Sequence, residues 1–230
     1  MKIDLEKYLE ERHRIKDVTE NPGPVITISR EFGCGAIPIA SKLAEALSEK
    51  GNSLATKTPW RHVNKEILEQ SAREMHLNPS KIEYVFSPHE KNVVKEMFDS
   101  FSTKKQLNDP KIHQTVKQVI TSISESGHVI ILGMGAVSIA KNIKQSLHVK
   151  LIAPLEWRVR KVSDEHKINV EKAKELILRN DQYRVLCIEH LRGERYSFKF
   201  FDIILNVAQF AEPEIIDIIK RATEVKNLAY

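Results

Sequence analysis

Gly33 and Gly35 lie a few residues after a short run of apolar and β-branched residues, Val25-Ile-Thr-Ile28. Pro38 follows, and Ile39, Leu43, Ala46 and Leu47 then recur at helical spacing. A buried strand, a turn of glycines that accept positive φ, and a helix start that tolerates proline are the parts of an anion cradle. Backbone N–H groups and the helix dipole would face a phosphate there. The alternative is an ordinary strand-to-helix turn. The phosphate-binding pattern G-x-x-x-x-G-K-[ST] is not intact: its Lys falls at Ala36, and the following hydroxyl positions fall at Ile37 and Pro38. Arg30 is the nearest replacement cation. Cys34 reads first as a small loop residue, with a second reading as a thiol activated by the helix start.

The elements that must position these residues alternate along the chain. Strands are expected at Val25–Ile28, His128–Leu132, His148–Ile152 and Phe201–Asn206, each short and apolar. Helices are expected from Pro38, from Pro110 to Ser124, from Ala136 to Lys144, from Pro154 to His166 and after Asn169 and Pro213. Further helices are expected over 65–75 and 90–101. The pattern predicts an α/β fold, a parallel β-sheet flanked by helices. Ligands of such sheets bind beyond the carboxyl ends of the strands, where the loops after Ile28, Leu132 and Ile152 would meet. Residues 1–20 read as an N-terminal helical extension that packs on the domain or on a partner subunit in a homo-oligomer; residues 21–230 read as one domain.

Bulk properties narrow the classes. The 230 residues carry a net charge of +5, but 36 Lys and Arg are interspersed with 31 Asp and Glu. That suits an anionic small molecule, and is the pattern of a mixed-charge surface rather than a nucleic-acid interface. No apolar run reaches the ~20 residues of a membrane span. The charged first residues do not read as a secretion signal, and two cysteines make no disulfide framework, so a cytoplasmic protein is expected. Nine histidines show no metal-ligand spacing, and no metal site is expected from side chains.

Four pieces of the chain, taken in order, resemble the cytidylate kinase-like family, a branch of the P-loop nucleoside monophosphate kinases. Ile26-Thr-Ile-Ser-Arg-Glu-Phe-Gly-Cys-Gly35 is similar to its I-S-R-[EQ]-Y/F-G-S-G-G opening, and Asn64-Lys-Glu-Ile-Leu68 to its D-[KR]-E-[LI]-[LI] segment. Val129-Ile-Ile-Leu-Gly133 precedes the place where the family continues G-R-G-A. Ala153-Pro-Leu-Glu-Trp-Arg158, Asp181-Gln-Tyr-Arg184 and Phe201-Asp-Ile-Ile-Leu-Asn206 resemble A-P-L-E-x-R, D-x-x-R and Y-D-L-x-[IL]-N.

The resemblance implies an acceptor-binding helical insert at 54–127 and a small lid at 170–199. It implies transfer of the ATP γ-phosphoryl, with Mg²⁺, to a nucleoside monophosphate. Arg30, Gly33, Cys34, Gly35, Ala36 and Ile37 would bind the nucleotide phosphates. Arg184, Asp181 and Arg158 would be catalytic, with Arg179, Arg192 and Arg195 as further lid cations. Met134 stands where the family has the Arg that meets the acceptor phosphate. Positioning and cationic charge carry phosphoryl transfer. Ala36, Ile37 and Met134 therefore point to a weakened kinase, or to a catalytically inactive nucleotide-binding or regulatory protein on the same fold.

Overall fold

The computed structural model describes residues 23–50, 58–64 and 110–228. The N-terminal extension, the expected helices over 65–75 and 90–101, and most of the 54–127 insert lie outside the described residues. The described elements are β1 (Val25–Arg30), α1 (Ala36–Lys50), β2 (Arg61–Val63), α2 (Pro110–Ser126), β3 (Val129–Leu132) and α3 (Ala136–Ile139). They continue with β4 (Ser146–Ile152), α4 (Leu155–His166), α5 (Val170–Arg192), β5 (Ile203–Asn206) and α6 (Glu212–Val225). The five strands form a parallel sheet in the order β2-β3-β1-β4-β5. β1 is therefore the switch point, with β3 and β2 on one side and β4 and β5 on the other.

Alternation along the strands builds two layers. Ile26, Ile28, Ile130, Leu132, Leu147, Val149 and Leu151 share one core with Leu43 and Leu47 of α1 and Ile215 and Ile219 of α6. Burying each such side chain contributes about 1.5–3 kcal/mol. Val25, Val129 and Ile131 face the other way, against Val119, Ile120 and Ile123 of α2 and Ala136 of α3. This second face turns polar toward β4. Thr27 Oγ1 and His148 Nδ1 are 2.8 Å apart, and burial pushes the His148 pKa down to about 4, keeping the ring neutral. Lys150 lies buried beside the rings of Tyr196 and Phe201, 5.6 and 5.8 Å from their centroids, and burial lowers its pKa too.

The expected strands and helices are present where described, with shifted bounds. α3 stops at Ile139, five residues short of the predicted end, and a 3₁₀ turn over Ala140–Asn142 follows. The chain must reach β4, which starts at Ser146 because Ser146 and Leu147 pair with Val25 and Ile26. β5 begins at Ile203 rather than Phe201, where its register with Val149 starts. α5 runs unbroken for 23 residues, from the Asn169 cap, whose side chain accepts from the Lys172 N–H at 2.9 Å, to Gly193.

Candidate functional site

The loop between β1 and α1 is shaped by the helix beneath it. Gly33 and Gly35 have φ of +87° and +67°. A Cβ on Gly33 would lie 2.9 Å from Cγ2 of Val162 and 3.4 Å from Cβ of Arg158; one on Gly35 would lie 2.6 Å from Nζ of Lys161. The two glycines thus serve handedness and close approach at once. Arg158, Lys161 and Val162 share one face of α4 at i, i+3 and i+4, and that face supports the loop. The first turn of α1 leaves backbone N–H groups without intrahelical partners at the carboxyl edge of the sheet. Ala36 is buried at this turn, whereas the Ile37 side chain is exposed.

Arg158 is the hub of a clamp. Its side chain is 7 % exposed. Nε donates to the Ala153 carbonyl at 3.0 Å and lies 3.4 Å from Oε2 of Glu31. Nη1 donates to the Phe32 carbonyl at 3.2 Å and to Oδ2 of Asp181 at 2.5 Å. The other Asp181 oxygen accepts the Phe32 N–H at 2.7 Å, and Glu31 Oε2 accepts the Ala153 N–H at 3.1 Å. Both backbone polar groups of Phe32 are therefore held by an Arg–Asp pair that also joins α4 to α5. Charge-assisted bonds of this kind are short and strong, and their buried geometry fixes the loop. Arg184, one turn after Asp181, donates from Nη1 to the Arg30 carbonyl at 3.2 Å, and its guanidinium lies 5.3 Å from the Phe32 ring centre.

The structure thus brings Arg158, Asp181 and Arg184 to the loop that holds Arg30, Gly33, Cys34, Gly35, Ala36 and Ile37. Arg158 and Asp181 contact the loop as positioning residues. Arg30 turns to the far flank, where its guanidinium covers Gly133 in the loop after β3. Met134 beside it is 9 % exposed and packs into the second core. Cys34 is 3 % exposed, and burial, with Glu31 nearby, pushes its pKa up to about 11. The activated-thiol reading is therefore corrected: desolvation outweighs the helix start. Arg192 sits away from the loop, 3.8 Å from the Phe200 ring centre and 3.4 Å from Glu194 Oε1.

Two features escaped the sequence reading. Lys161 places its ammonium at Gly35, and Glu31 joins the clamp. The i+3 spacing of Lys161 from Arg158 was the available signal, but nothing local says which face of α4 meets the loop. Among the described residues no group of three His, Cys, Asp or Glu is placed to hold a metal ion. Glu31 and Asp181 are already engaged, and no hydroxyl occupies position 36, 37 or 38. The described residues therefore fit nucleotide phosphates through backbone N–H groups, and do not fit a protein-built Mg²⁺ site. No described helix is long and apolar enough to cross a membrane.

Comparison with known proteins bears on the family and the fold. A cytidylate kinase of Ignicoccus hospitalis is 27% identical over 116 residues, 50% of this chain and 67% of that one. A crystal structure of an uncharacterized protein from Eubacterium ventriosum superposes with a TM-score of 0.59 at 16% identity, covering 88% of this chain and 98% of that chain. A shikimate kinase from Bacteroides thetaiotaomicron gives a TM-score of 0.49 at 10% identity, over 87% and 98% of the two chains. A sequence model of the cytidylate kinase-like family matches residues 25–209, covering β1 to the end of β5 and so the whole of the loop, its clamp and the α4–α5 pair, and the chain belongs to that family.

Proposed function

We propose that the protein is a nucleoside monophosphate kinase of cytidylate type, moving the γ-phosphoryl of ATP to a small phosphorylated acceptor. The observation that carries this reading is the clamped glycine loop at the β1 switch point, flanked by cations from α4 and α5. Gly33, Gly35, Ala36 and Ile37 offer backbone N–H groups to the phosphates, whereas the Cys34 N–H donates to the Glu31 carbonyl at 3.4 Å within the loop. Arg184 lies over the loop, where a cation stabilises the loose, dispersed charge of phosphoryl transfer. Arg158 and Asp181 hold the loop peptide so that these donors need not reorganise. Arg30 lies on the Gly133 flank, away from α4. Mg²⁺, as family membership implies, would arrive on the nucleotide's own phosphates.

A coupled assay with ATP, Mg²⁺ and CMP, dCMP, UMP or AMP tests the reading. Turnover is expected with at least one acceptor, and to be abolished by Gly35→Asp, which sets a carboxylate in the cradle. No turnover above the Gly35→Asp background would overturn it.

A second reading has its own support: buried Ala36, exposed Ile37 and buried Met134 remove the usual ammonium, hydroxyl and guanidinium. On that reading the fold binds nucleotide without turning it over. Calorimetric binding of ATP in a chain that fails the coupled assay would select it.

A further inference from the structure

The loop lacks an ammonium at Ala36, yet one stands beside it. Nζ of Lys161 lies where a Cβ of Gly35 would come within 2.6 Å of it. The backbone that carries it is held in place. Lys161 is three residues after Arg158, which grips the Phe32 carbonyl, and one before Val162, which touches Gly33. The backbone of α4 at Lys161 is thereby registered against the loop to within one turn of helix. Of the other cations near the loop, Arg158 and Arg30 are engaged elsewhere, and Arg184 is the one assigned above to the transferring group. Arg158 is spent on Asp181, Glu31, Ala153 and Phe32. Arg30 covers Gly133 on the opposite flank, and Arg184 lies against Phe32. Among the described residues, Lys161 holds a long pair with Glu165 of its own helix, at 3.9 Å, and a ring contact with Trp157, at 5.2 Å. Its side chain is 31 % exposed. A solvent-facing i,i+4 pair of this length contributes little and yields readily to a polyphosphate.

We propose that Lys161 supplies from α4 the phosphate-binding ammonium that the loop has lost at Ala36. The proposal rests on the nucleotide-binding reading above and deepens it: a strand-to-helix loop whose cation has migrated to the neighbouring helix. It also explains Gly35 in this chain, since any side chain there would displace the ammonium. Because α4 leads directly into α5, the cation is carried on the same pair of helices that brings Arg184 to the loop.

Calorimetry on the full chain with ATP, and separately with inorganic tripolyphosphate, tests the assignment. Lys161→Met is expected to weaken both ligands by about 10–100-fold, the size of a lost charge-assisted contact, and Lys161→Arg to stay within about threefold. Thermal melting of the unliganded Lys161→Met chain is expected to match that of the parent, since the side chain holds no part of the clamp. If Lys161→Met binds both ligands as the parent does while Gly35→Asp abolishes binding, the loop is the phosphate site and Lys161 is not its cation. If Lys161→Met weakens binding while Gly35→Asp leaves it intact, the lysine serves a site elsewhere and the proposal fails. A parent chain that binds neither ligand overturns the nucleotide reading and this proposal together.

Discussion

The loops after β1 and β3 are built from the same parts and end up as different objects. Each leaves the carboxyl end of a central parallel strand, and each carries two glycines one residue apart at positive φ. These are Gly33 at +87° and Gly35 at +67° in the first, and Gly133 at +78° and Gly135 at +65° in the second. The first opens onto a helix of 15 residues, the second onto one of 4. The first is packed by Arg158, Lys161 and Val162 of α4 and gripped by Asp181, so its glycines meet a charged helix face. The second is packed by side chains from two other elements: the Arg30 guanidinium lies on Gly133 and the Leu191 side chain on Gly135. A glycine turn at a strand end is therefore not itself a phosphate site. What packs against it, and on which side, decides.

The largest break in this comparison is expected at the clamp. Arg158→Met removes the hub and leaves Asp181 and Glu31 without their cation. It is expected to cost about 3 kcal/mol, at the lower end for a broken buried pair because both carboxylates keep some water. Urea denaturation reads this directly. Arg30→Met, which uncovers the second loop and leaves the clamp in place, is expected to cost less than Arg158→Met by the same measurement. Equal losses in the two variants would erase the distinction between a clamped loop and a covered one.

The glycines sharpen it further. Gly33→Ala combines left-handed strain with a steric conflict against the stiff Val162, and about 2 kcal/mol is expected, whereas Gly133→Ala meets the movable end of the Arg30 side chain and is expected to cost about 1 kcal/mol. Gly193 at the end of α5 has φ of +73°, and a Cβ there would meet nothing within 4 Å. Gly193→Ala should therefore show the backbone strain alone, about 1 kcal/mol. If Gly33→Ala costs no more than the other two, the close approach of α4 contributes nothing.

The smallest effect concerns Cys34. With its pKa near 11, only about one part in a thousand is thiolate at pH 8, and burial slows attack further. Titration of the native chain with a disulfide reagent is expected to leave Cys34 unreacted until the chain unfolds. Prompt reaction would mean that the first loop opens on its own, contrary to the clamp.

Much of this was legible in the residues. Short apolar strands, proline at helix starts and the Asn169 cap act through local backbone chemistry, so the order of elements and the parallel sheet could be read directly. The candidate loop was legible for the same reason: positive φ and a helix start are properties of a few consecutive residues. Asp181 and Arg184 share a helix face by spacing alone, and family motifs singled out Arg158. What each of them does was not legible. Arg158 and Asp181 meet across 23 residues of chain and grip Phe32, more than 120 residues away from either.

The sequence by itself determined an alternating α/β chain, a glycine loop stripped of its lysine and hydroxyl, and three charged residues downstream. The tertiary structure alone decided that two of those residues clamp the loop, that Arg30 serves the opposite flank, and that Lys161 stands at Gly35. The reason is physical: local conformation follows from neighbouring residues, whereas which face of α4 meets the loop is fixed by packing between elements far apart in the chain.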